Sequence, residues 1–126
     1  MKHFLIAVLL ISLMLAFCVW SASAITEAAQ PVGKLLTAAQ KAAREGSFDA
    51  AGKFAEMADA AWQENEVLFG ILLRHDETDA VMRQFAALTE YAAAKDADDF
   101  SAACAELLRQ VRHVQDMQLP TLQNVL

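Results

Sequence analysis

Gly46-Ser47-Phe48-Asp49-Ala50-Ala51 and Asp98-Asp99-Phe100-Ser101-Ala102-Ala103 are two short breaks with similar surroundings. Each places a Phe and then a pair of Ala at the start of a new apolar stripe. Gly46 suits the left-handed position that follows a helix, and Ser47 suits the N-cap of the next. An Asp of the cluster Lys95-Asp96-Ala97-Asp98-Asp99 suits the same capping role. Connections this short force neighbouring helices to run antiparallel.

On either side of these breaks the apolar spacing is helical. Val32, Leu35, Leu36, Ala39 and Ala43 form one stripe. Phe48, Ala51, Phe54, Ala55, Ala58, Ala61 and Trp62 form a second. A third, longer stripe runs through Leu68, Ile71, Leu72, His75, Met82, Phe85, Leu88 and Ala92. The last carries Phe100, Ala103, Cys104, Leu107, Leu108, Val111 and Val114, and stops before Pro120. Ala is abundant and β-branched residues are sparse, which favours helix over strand. The pattern predicts an all-α domain over residues 25–126, built as two antiparallel helical hairpins in a small four-helix array. Its packing is tetratricopeptide-like but not its repeat, since Phe48 and Phe100 lie 52 positions apart rather than about 34.

Upstream of the stripes lies a segment of another kind. Met1-Lys2-His3 is a short basic leader, and Phe4 to Trp20 carries no charge. Ser21-Ala22-Ser23-Ala24 supplies small residues in an Ala-x-Ala pattern. Residues 1–24 therefore read as a secretory signal peptide, with cleavage expected after Ala24. The alternative is an uncleaved membrane anchor with residues 4–20 in the bilayer, for the run meets the lower limit of about 17 residues for a span. Both readings place the helical domain outside the cytoplasm, secreted or held at the cell membrane, because Lys2 stays inside and the next Lys is Lys34. Cleavage would leave Pro31 close to a helix start, where a missing N–H costs little. In an uncleaved chain Pro31 is expected to kink or break one long helix. Cys18 does not suit lipid attachment, because bulky Phe17 precedes it, and Cys104 reads as a small apolar residue of the last stripe.

Of 126 residues, 16 are acidic and 10 basic, for a net charge of −6. That balance argues against nucleic acid as a partner, which calls for a basic face. It also sets the surface against anionic lipid headgroups, so membrane proximity has to come from the N-terminal segment or from a protein partner. The chain has no Gly-rich phosphate loop, no His-Glu-x-x-His and no Gly-x-Ser-x-Gly.

Arg74-His75-Asp76-Glu77-Thr78-Asp79 is the stretch with most chemical potential. His75 and Asp79 are four apart and share a helical face, so His75, with Asp76 or Asp79, can offer metal ligands to which His113 or a Glu would have to add a third. Against that stands a structural role: His75 half-buried on the third stripe and bonded to Asp79, with the acidic residues solvated and Asp79 paired to Arg83. If the helix breaks near Asp76, that residue is an N-cap. His113 and Met117 share one face and cannot ligate opposite sides of a haem iron, so no cofactor is expected.

Trp62, the 13-position interval to His75, the acidic residues through Asp79, the acidic turn and the closing Leu119-x-x-Leu122-x-Asn124-x-Leu126 resemble the bacterial domain-of-unknown-function family 4363. The resemblance implies a short protein with an N-terminal apolar segment and an all-helical remainder, and it implies no activity, cofactor or catalytic residue. This chain departs from that pattern in its high Ala content and its Ala-x-Ala site. The function expected is a non-enzymatic extracytoplasmic helical module that binds an unknown protein at or near the cell membrane, a membrane protein being one candidate. The alternative is a metal-dependent binding protein or enzyme centred on His75 and Asp79.

Overall fold

A computed structural model describes residues 1–117. Pro120 and the closing Leu119–Leu126 pattern lie outside the described residues. The described chain is all-helical: α1 (Lys2–Arg44), α2 (Phe48–Glu64), α3 (Glu66–Leu72), α4 (His75–Ala94) and α5 (Ala97–Met117).

From Ser21 onward, α1 is a wall of a four-helix ring. It packs on α2 and α5, and α4 packs on the same two helices from the opposite corner. Gln40 Nε2 donates to the Ser101 carbonyl (3.0 Å) and Gln115 Nε2 to the Thr26 carbonyl (3.4 Å), so α5 runs antiparallel to α1. The core holds Ile25, Val32 and Leu36 from α1, Trp62 from α2, Val81, Phe85 and Leu88 from α4, and Phe100, Leu107, Val111 and Val114 from α5. Ala29 and Ala39 of α1 and Ala51, Ala55 and Ala58 of α2 also belong to the core, and these two helices pack on one another.

Both turns end their helices by one device. After α1, Gly46 is left-handed (φ 81°), with Ser47 N–H donating to the Ala42 carbonyl (2.9 Å) and Gly46 N–H to that of Ala43 (3.1 Å). After α4, Lys95 takes the left-handed position (φ 56°), with Asp96 N–H donating to Tyr91 and Lys95 N–H to Ala92. Each pair of bonds satisfies carbonyls that a helix end leaves free. The caps of the following helices differ. The Asp96 carboxylate accepts the Asp99 N–H (3.1 Å) at the start of α5, whereas Ser47 occupies the N-cap of α2 without a side-chain bond.

Two expectations are corrected. Pro31 does not break the first helix, which continues from Lys2 to Arg44. Pro31 lies on the exposed side of α1, so the carbonyl it leaves without a donor faces water, while packing against α2 and α5 holds the helix on either side. The third stripe, in turn, is not one helix. The chain is extended at Leu73 and Arg74 (ψ 159° and 148°), dividing it into α3 and α4. The division turns Phe69 and Leu73 inward and leaves Ile71 and Met82 exposed.

The first half of α1 touches none of this. From Phe4 to Trp20 its large apolar side chains are exposed, and the buried series begins at Ser21 and Ala22. The Ser21 hydroxyl donates to the Cys18 carbonyl (3.0 Å), so its burial leaves no unpaired donor.

Candidate functional site

The Arg74–Asp79 stretch forms the bend before α4 and its first turn. Arg74 Nε lies 3.4 Å from Asp76 Oδ1, both side chains largely exposed. Asp76 and Glu77 sit where the free N–H groups of α4 favour negative charge, which accounts for the acidic cluster without a ligand. His75 is exposed, at the first position of α4 rather than on a core stripe, because the bend at Leu73–Arg74 resets the helical phase. Asp79 forms no ion pair with Arg83.

His75 and Asp79 do share a cleft. It encloses about 470 Å³ between α2, α3 and α4, and Trp62, Glu66, Phe69 and Met82 contribute to its walls. Its floor is a stacked aromatic pair, Trp62 on Phe69, with ring centroids 4.0 Å apart and planes 16° apart. Asp76 faces a different, smaller cleft of about 180 Å³ between α4 and α5. His75, Asp76 and Asp79 are thus divided between two surfaces. Among the described residues, no three His, Cys, Asp or Glu side chains gather around a common point.

The smaller cleft holds a pairing that the spacing did not reveal. His113 Nε2 stands 4.0 Å from Glu77 Oε1, so the histidine considered as a third ligand approaches Glu77 rather than His75. Glu77 is not the solvated residue expected, since its side chain is only 20% exposed. Its Oε2, like Gln110 Oε1, is buried without a hydrogen-bond partner among the described residues. Glu77 lies 36 positions from His113, and no local pattern announces a contact made across two helices.

Two titrating groups are perturbed. Burial alone pushes the Cys104 thiol up to about 12, so it stays protonated and unreactive at neutral pH. Asp99 is raised above the ordinary carboxylate range by its hydrogen bond with Asp96 and by the Asp96 charge.

Fold and surface together define a class: a small all-helical protein whose first helix carries a long apolar segment standing clear of the bundle. Within that class the chain belongs to the family described as Domain of unknown function (DUF4363), whose model matches residues 19–125. The match begins two positions before Ser21, where burial begins. No curated protein and no solved structure matches the chain.

Proposed function

We propose that the chain is a membrane-anchored, extracytoplasmic helical protein that works by binding another protein rather than by catalysis. One observation carries the anchor: α1 runs without interruption from the apolar segment into the core, and Ile25, which cleavage after Ala24 would make the new N-terminus, is 0% exposed. The small residues of the Ala-x-Ala stretch have a packing role in this reading, since Ala22 and Ser21 are themselves buried. Phe4–Trp20 spans about 26 Å as a helix, close to the roughly 30 Å of bilayer hydrocarbon. Trp20, 5.9 Å from Phe17 by ring centroids, stands at the end of the run, where an amphipathic ring favours the interface. Lys2 at the other end supports an orientation with the bundle outside.

The interaction role draws on the acidic surface of the bundle and on Met57 and Met82, apolar side chains it leaves exposed. In this reading α1–α2 and α4–α5 are two hairpins with tetratricopeptide-like small-residue packing, as where a Cβ on Gly52 would stand 3.8 Å from that of Ala92.

Intact-mass measurement on native membranes tests the anchor. Full-length chain that detergent releases and alkaline carbonate does not is the expected result, and a soluble species starting at Ile25 overturns it. Crosslinking in the same membranes should join the bundle to one recurrent protein; crosslinks scattered over abundant neighbours would overturn the interaction role. The metal-dependent alternative rests on the cleft that His75 and Asp79 share, and a stoichiometric metal in purified protein would favour it.

A further inference from the structure

The proposed anchor has a neighbour. α3 is the shortest helix, and it lies at the root of the apolar segment: Leu68 borders a cleft with Ala24, Ala28 and Pro31 of α1. Its Phe69 points inward and stacks on Trp62. Its other apolar residues do the opposite. Val67 is 77% and Ile71 74% exposed, more than any large apolar side chain between Phe4 and Trp20. They are four positions apart and so share one face of the helix. Among the described residues, nothing else covers them.

Resting on the anchor reading, we infer that the Val67–Ile71 face of α3 is a second membrane contact, seated in the interfacial layer of the bilayer into which α1 inserts. Distance along α1 supports this occupant. Ala24 follows Trp20 by four residues, a rise of about 6 Å. The headgroup layer on each side of the hydrocarbon is about 5–8 Å deep. The end of that cleft at Ala24 is therefore at headgroup depth whenever Trp20 is at the hydrocarbon edge, while Pro31 at its other end stands about 16 Å from the edge. Two exposed branched aliphatics on a short helix at that depth match the apolar face of an interfacial helix. Glu66, at the start of α3, and Arg74, just beyond it, are exposed and can remain in the aqueous part of the layer. The bundle is then held at two points, α1 and α3, and cannot swing freely about Ser21.

The experiment uses the full chain with Cys18→Ser, reconstituted in phosphatidylcholine vesicles, with an environment-sensitive fluorophore on single introduced cysteines; Cys104 is buried and stays unlabelled. Val67→Cys and Ile71→Cys test the face, Leu10→Cys reports on the anchor, and Met57→Cys reports on an exposed apolar site of the bundle wall. Circular dichroism checks that each labelled chain keeps its helices. The expected result is a blue-shifted emission at 67 and 71 with at least twofold quenching by lipids carrying a shallow nitroxide, deep-nitroxide quenching at 10, and neither at 57. Quenching at 10 with water-like emission at 67 and 71 overturns the second contact and leaves the anchor standing. Shielded but unquenched labels at 67 and 71 mean that protein covers the face, which also overturns it. Loss of quenching at 10 overturns both.

Discussion

The two halves of α1 are one helix by backbone and two different objects by surface. Residues 4–20 are uncharged and almost wholly apolar around the circumference and bury nothing against the protein. Residues 21–44 are apolar along one stripe, from Ala22 and Ile25 to Ala43, and bury that stripe completely or nearly so. The individual side chains in the first half are on average larger and more hydrophobic than those in the second. Burial follows the pattern rather than the amount of apolar surface: a stripe with polar residues opposite it can meet neighbouring helices on one side and water on the other. A helix apolar on every side has no aqueous face and calls for lipid or removal.

Truncating one leucine in each half is the strongest way to break this contrast. Leu36→Ala, at a fully buried position, should cost about 2–5 kcal/mol in denaturant melts of the detergent-solubilised protein, through lost transfer energy and a residual cavity. Leu10→Ala should leave the same melt within about 0.5 kcal/mol. Equal losses would mean that the apolar half also packs on the bundle.

Gly46→Ala acts where the packed half of α1 ends. A Cβ there meets no neighbour, so its cost is the left-handed backbone alone, about 1–2 kcal/mol. The free half should stay helical, which amide exchange would show as lost protection confined to the bundle.

Asp96→Ala loosens the start of α5, the helix that covers α1 opposite α2, and should cost about 1 kcal/mol as a lost N-cap. It should also return Asp99 to the ordinary carboxylate range, since Asp96 is the main cause of the rise. The sign follows from the direction: with its folded pKa raised, Asp99 favours the fold in acid, below the ordinary carboxylate range, and this contribution fades as pH rises through the raised value. Carboxyl NMR titration of Asp99 in both proteins reads the change directly.

Smaller effects are expected at Lys95 and His75. Lys95→Gly relieves a left-handed residue at a cost in unfolded-state freedom, leaving a gain of up to about 1 kcal/mol. The opposite signs at Gly46 and Lys95 test whether the two turns are equivalent. His75→Ala should change the midpoint by no more than about 0.5 kcal/mol, as at Leu10, because the side chain is exposed. A loss of 1–3 kcal/mol would restore the core histidine that the stripe suggested.

Much of this molecule was legible in one dimension because its information is local. An uncharged run, an Ala-rich stripe at helical spacing, a Gly after a helix and an Asp before one all act within a few residues. They settled the helical class, the apolar first segment and the turn at Gly46, and they put an Asp cap within the Lys95–Asp99 cluster, where the structure assigns it to Asp96. Trp62, Phe85, Leu88 and Phe100 were legible as core for the same reason. The candidate site was legible only in part: the Arg74–Asp79 cluster stood out, but its division between two clefts did not. What the chain could not specify locally was where periodicity is interrupted by competition between helices. The phase of α4 is set by the bend at Leu73–Arg74 together with packing on α2 and α5, which turned His75 and Met82 outward and Glu77 toward His113. Pro31 likewise has a strong local preference that long-range contacts on both sides override. Helix identity is a sum over near neighbours, whereas helix phase, ends and partners depend on contacts between residues far apart in the chain, which exist only once the bundle has formed.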